Sequence, residues 1–300
     1  MNIDQIITLL INIVVCLLFV VPVRFALAKH LGVDAKHELD SKDNFAFGVS
    51  IAGGVLGLIF MLTGVQSGDP LPSHVTEIIS LLMYGLLGSL LLIAGVLIQD
   101  KLVIRDVELA TEIKNGNMSA AIIVAANMAV VGLVAKKTLS WVDSEQLDGL
   151  IPVIAVFVIS QVVLAAVAGL RMGVYRSRNR RNSTNGIDAA DTWQGAIKAG
   201  NVAIALRYAG QLIATGIAIT ITSALVDSES MGLYESVGYW AFYAFGLAGV
   251  IWGAYRLFLP LVLYKVNVVE EVDHQANVGV AAVEAALMIS LAFMVLAYLV

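Results

Sequence analysis

Six polar or charged side chains stand inside otherwise apolar stretches of this sequence: Ser50, Asn127, Gln161, Arg207, Gln211 and Glu284. Such groups are costly in hydrocarbon unless paired or wet, so each marks either a helix–helix contact or a polar path. For Asn127 and Gln211 the simpler role is an interhelical hydrogen bond; lining a path is the alternative. Arg207 and Glu284 follow Asn201 and Asn277 by six and seven residues. At about 1.5 Å per residue both sit roughly 10 Å inside the same end of their helices. Matching depth predicts an ion pair, against a snorkelling Arg207 or a wet path through Glu284. His30 and His37 share a linker with Glu38 and Asp40. Solvated histidines are expected there rather than a metal site. No His-Glu-x-x-His, nucleophile elbow, phosphate loop or dinucleotide motif occurs. The expectations are no enzyme activity, no cofactor and no nucleic-acid partner.

The elements that must position these residues are set by composition. Of 300 residues 59% are hydrophobic and 14% charged, and the mean hydropathy is +0.87. A soluble domain carries about 25% charged residues, so most of this chain cannot face water. A spanning helix needs roughly 20 consecutive apolar residues. Eight stretches qualify: 5–28, 44–65, 77–99, 117–134, 150–171, 201–226, 237–263 and 277–300. The first lacks a basic leading region and a cleavage site, and reads as a retained helix. Cys16, the one cysteine, lies within it and can form no internal disulfide.

Charge gives orientation. The connections after the first, third, fifth and seventh stretches, with adjacent helix ends, hold fourteen of the 18 Lys and Arg, against two (Lys136 and Lys137) on the other side. By the positive-inside rule the fourteen face the cytoplasm and both termini lie outside. The basic run 176–181 (Arg176, Arg178, Arg180, Arg181) reads as a topology determinant, or as a dock for anionic lipid or a cytoplasmic protein.

Four of the eight stretches open alike, at Asn44, Asn117, Asn201 and Asn277. Small residues recur four, eight and nine places later: Gly48, Ala52 and Gly53; Ala121, Ala125 and Ala126; Ala205, Ala209 and Gly210; Ala281, Ala285 and Ala286. Residues four apart share a helix face, and small side chains there let helices approach closely in lipid. The Asn-led helices are therefore the inner set. Gly116 and Gly200 precede two of the Asn residues, while Asp43 and Ala276 replace Gly in the other copies. Each Asn is expected to cap its helix; a ring of four amides around a pore mouth is the sharper alternative. The stretch 103–114 spaces Val103, Val107, Ala110 and Ile113 as a short amphipathic helix lying at the membrane surface.

The Gly-Asn-x-x-Ala-Ala pattern, complete from Gly116 to Ala121 and partial elsewhere, resembles the YjfL-type bacterial inner-membrane proteins, a family grouped as domain of unknown function 350. The resemblance covers nearly the whole chain as two four-helix units in tandem, 1–142 and 143–300. It implies a bacterial inner membrane and no established activity. The fold expected is all-α: a polytopic membrane protein of about eight helices built as four parallel hairpin repeats, arranged as a pseudo-fourfold bundle or as two halves meeting near 141–149. Two functions stay open. One is a channel or transporter for an ion or small solute; the other is a membrane scaffold that docks a cytoplasmic partner. The partners expected are the bilayer and a second copy in a homo-oligomer.

Overall fold

Long apolar runs bounded by capping residues form helices here because hydrocarbon leaves a backbone polar group no partner but its own helix. A computed structural model describes residues 3–67, 73–140, 149–182, 192–226 and 231–300. Ten α-helices result: α1 (Ile3–His30), α2 (Phe45–Gln66), α3 (His74–Ile98), α4 (Leu109–Lys114), α5 (Met118–Leu139), α6 (Leu150–Asn182), α7 (Trp193–Lys198), α8 (Val202–Leu225), α9 (Leu233–Val262) and α10 (Val278–Leu299). All but α4 and α7 are long and apolar enough to cross a membrane. No strand occurs among the described residues. Among the described residues, three single π-helical turns (His37–Ser41, Gln99–Val103 and Glu270–His274) fill connections on the side where α2, α5, α8 and α10 begin, hereafter the Asn side.

The helices form two staggered rows. The inner row runs α2–α5–α8–α10, each packed on the next, and α2 and α10 do not pack on each other. The outer row covers one face: α2 contacts α1 and α3, α5 contacts α3 and α6, α8 contacts α6 and α9, and α10 contacts α9. The inner row is thus open-ended rather than a fourfold bundle. It is also continuous through α5 and α8, so the two halves share one core; the segment 141–148 lies outside the described residues.

Small residues set the inner spacing. A Cβ on Gly132 would fall 1.9 Å from the Gly57 carbonyl oxygen, and one on Gly53 would fall 2.3 Å from the Ala125 Cα. The same approach recurs in the second half, where a Cβ on Gly210 would fall 2.5 Å from the Ala285 Cα. No side chain larger than hydrogen fits at those points.

Two elements differ from the sequence reading. The helix expected over 103–114 is confined to Leu109–Lys114, and Val103, Val107 and Ile113 are buried in the core. The stripe therefore faces protein rather than the membrane surface. α6 continues to Asn182, through the basic run. Arg is a good helix former, and nothing apolar is required once the helix leaves the hydrocarbon.

Candidate functional site

The four Asn residues occupy one local geometry. The residue before each has positive φ: Asp43 (49°), Gly116 (86°), Gly200 (80°) and Ala276 (53°). This left-handed residue ends the preceding turn and aims the Asn into the next helix. Each Oδ1 then accepts from its own first turn: Asn44 from Phe47 N (3.0 Å), Asn117 from Ser119 N (2.9 Å), Asn201 from Ile204 N (3.1 Å) and Asn277 from Val280 N (3.1 Å).

The amide nitrogens do more than cap. Asn44 Nδ2 donates to Glu38 Oε2 (2.7 Å) and to the Ile113 carbonyl (3.0 Å) at the end of α4. Asn117 Nδ2 donates to Glu112 Oε2 (2.8 Å) and to the Ile197 carbonyl (2.9 Å) at the end of α7. Asn201 Nδ2 reaches the Val272 carbonyl (3.3 Å), and Asn277 Nδ2 donates to Glu271 Oε2 (2.7 Å). Each of the first three therefore ties its repeat to the next. The four are strung along the inner row and do not close into a ring. Three carry a Glu clip, because Glu38, Glu112 and Glu271 also accept the Asn backbone N–H on their own carbonyls. The third copy has Ala196 at that place. Burial pushes the Glu38 carboxyl up, but the Asn44 amide and the Lys42 ammonium, 3.2 Å away, outweigh it and leave Glu38 below the ordinary glutamate value.

Deeper in the second half lies a buried ionic cluster. Arg207 on α8 donates through Nε to Glu284 Oε2 on α10 (2.5 Å), through Nη1 to Asp273 Oδ1 in the last π-turn, and through Nη2 to the Val268 carbonyl (3.0 Å). Tyr255 on α9 donates its hydroxyl to the other Glu284 oxygen. Arg207 is 4% exposed and Glu284 1%. Arg171 on α6 stands close enough to feel Arg207, Glu284 and Asp273. Its Nη2 is buried without a hydrogen-bond partner among the described residues.

Arg171 and Tyr255 also border a cavity of about 230 Å³ between α6, α8 and α9. Its lining is apolar toward Phe245, Ala248 and Ala166. At the Asn-side end it is polar, with Arg171, Tyr255 and Arg256. The Arg256 guanidinium lies over the Trp252 ring, 5.7 Å from its centre. Gln211, on the same wall, has a buried Oε1 without a partner.

The remaining intramembrane groups divide. Asn127 donates from Nδ2 to the Gly95 carbonyl (2.9 Å), joining α5 to α3. Ser50 bonds back to the Ala46 carbonyl (3.0 Å), and Gln161 turns to neighbouring Ser160 (3.4 Å). So Asn127 and Gln211, at one repeat position, serve different ends. Sequence reasoning missed Asp273, Tyr255 and Arg171 as members of the cluster. In sequence Arg171 is one of the fourteen basic residues at the helix ends, where a topology role accounts for it, and Tyr255 resembles any lipid-facing aromatic. Of the basic run, only the Arg176 side chain falls within the described residues.

A family model described as Domain of Unknown Function (DUF350) matches residues 1–139 and again 144–299. No curated protein and no solved structure matches the chain. The doubled match parallels the doubled architecture, with two Asn-led inner helices in each half. This chain is a multi-pass membrane protein that belongs to the DUF350 family and carries two tandem copies of its unit.

Proposed function

We propose that the protein carries a small amphipathic anion across the inner membrane of a bacterium, with the cavity between α6, α8 and α9 as its binding site. The observation that carries the reading is the buried, unpartnered Nη2 of Arg171 at the polar end of an otherwise apolar cavity. A charged group held at membrane depth without a full set of partners is a functional signal. Arg171 and Arg256 line the cavity without a carboxylate beside them among its described lining residues, while Glu284 and Asp273 are taken up by Arg207 behind it, so an added anion meets positive charge there. The apolar wall suits a hydrocarbon or aromatic body.

The test uses protein reconstituted in liposomes with benzenesulfonate, an anion that stays charged and crosses lipid poorly by itself. Saturable uptake above that of protein-free liposomes is expected, and Arg171→Gln should abolish it. No saturable uptake, or uptake unchanged in that variant, refutes the proposal. In this reading the Asn side faces the cytoplasm, on the fourteen-to-two division of basic residues. Asn115→Cys and Ser67→Cys, each in a Cys16→Ala background, place a thiol at either side. An impermeant thiol reagent on intact cells should label position 67 and spare 115; the reverse inverts the orientation.

A further inference from the structure

The inner row repeats one contact register. Counting from each Asn, position nine of one helix meets position eight of the next: Gly53 against Ala125, and Gly210 against Ala285. Position fifteen meets position thirteen of the helix before it: Gly132 against Gly57, and Gly216 against Val130. The first contact joins α2 to α5 and α8 to α10, and the second joins α2 to α5 and α5 to α8, so each inner interface uses one or both. Nothing in that register requires it to stop at α10.

The two ends of the row carry the open halves of the eight-and-nine contact, with alanine at position nine as in α5, which packs on α8. Position fifteen of α2 is the half-buried Ile59, so the close approach at fifteen is not repeated there. On α10, Ala286 and Ser290 hold positions nine and thirteen, and both are exposed. On α2, Ala52 holds position eight and is exposed too. Of the α8 span 83% is buried inside the protein, against 28% of the α10 span.

The Asn relay stops at the same place, and this is a separate, polar observation. Asn44, Asn117 and Asn201 each reach a carbonyl in the connection leading to the next repeat. Asn277 reaches Glu271 of its own repeat and no onward carbonyl among the described residues. The first and last repeats both close their connection with a π-turn. Leu39 in the first therefore stands where Val272 receives Asn201 in the last.

We propose that copies of this chain assemble head to tail, α10 of one against α2 of the next, with Asn277 reaching across to the Leu39 carbonyl region. The contact joins two different surfaces, so it propagates from copy to copy, as a ring where its rotation closes and as an open row where it does not. It is independent of any transport activity.

The experiment is disulfide trapping in native membranes, in a Cys16→Ala background. Ala52→Cys and Ala286→Cys are combined in one chain, since positions eight and nine bring Cβ atoms within bridging distance. Mild oxidation should move most chains into covalent dimers and a ladder of larger species. Each single-Cys variant should give none, and Ala52→Cys with Phe293→Cys, two turns out of register, should give little. Trapping no greater than in that control overturns the proposal and leaves lipid covering both ends. Dimers formed equally by one single-Cys variant also overturn it, because they report a symmetric contact. Retention of the parent thermal transition by the double variant shows that a negative result is not misfolding.

Discussion

Ala276 holds a left-handed φ of 53° that glycine occupies in the two middle repeats. For an L-residue that conformation costs about 1–2 kcal/mol. Replacing Ala276 by Gly relieves the strain and returns part of the gain to unfolded-chain entropy. The net expectation is about 0.5–1 kcal/mol of added stability, read as a higher thermal transition in detergent. The Arg207–Glu284 contact calls for a different measurement. Removing one partner of a buried pair strands the other, at about 3–5 kcal/mol. Arg207→Gln and Glu284→Gln should each destabilise, and the double variant should cost less than their sum by about 0.5–3 kcal/mol. Strict additivity would show that the two do not touch. Asp273 and Tyr255 complicate the cycle, since both also hold members of the pair; the coupling therefore reports the cluster as a unit.

At the scale of elements, the inner row depends on glycines that meet backbone. Gly132→Ala drives a methyl into the Gly57 carbonyl and should cost at least as much as ordinary overpacking, about 1–3 kcal/mol. Gly246→Ala on α9, where a Cβ meets nothing within 4 Å, should be neutral or slightly stabilising. Equal melting of the two variants would dismiss the close approach of α2 and α5. The connection ahead of α2 has its own pH signature. Because the folded Glu38 carboxyl sits below its ordinary value of 4.5, its clip with Asn44 and Lys42 is fully present above that value. It is lost as pH falls through the lowered folded value. Glu38→Gln should flatten the acid limb of the stability profile; an unchanged limb would mean the clip contributes nothing. The small-residue register made the inner helices legible in the sequence, because four copies repeat it. The Glu clip was not legible. Glu38 and Glu271 precede their Asn by six residues but Glu112 by five, and only the π-turns explain how one contact tolerates both spacings.

For the whole molecule, the sequence made the span count and the parallel repeats readable, since both follow from local composition and periodicity. The two-row layering was not readable. Which outer helix covers which inner pair depends on contacts between segments whose side chains are all equally apolar. The cavity between α6, α8 and α9 is hidden for the same reason, and so is the place of Arg171, whose charge suits a membrane boundary as well as an interior. Arg207 and Glu284, however, lie 77 residues apart in the chain, and this separation bears on how the protein is made. At synthesis rates of 5–20 residues per second, α8 precedes its counter-ion by roughly 4–15 s. For that interval a helix bearing a lone guanidinium must wait at the translocon or enter the bilayer uncompensated. The arrival of α10 and the turn before it thus acts as a release step for α8. A chain ending at Val262, the last residue of α9, should leave α8 poorly inserted, as read by glycosylation or protease mapping, and Arg207→Leu should restore insertion without α10. Full insertion of the truncated chain would show that α8 needs no help from α10.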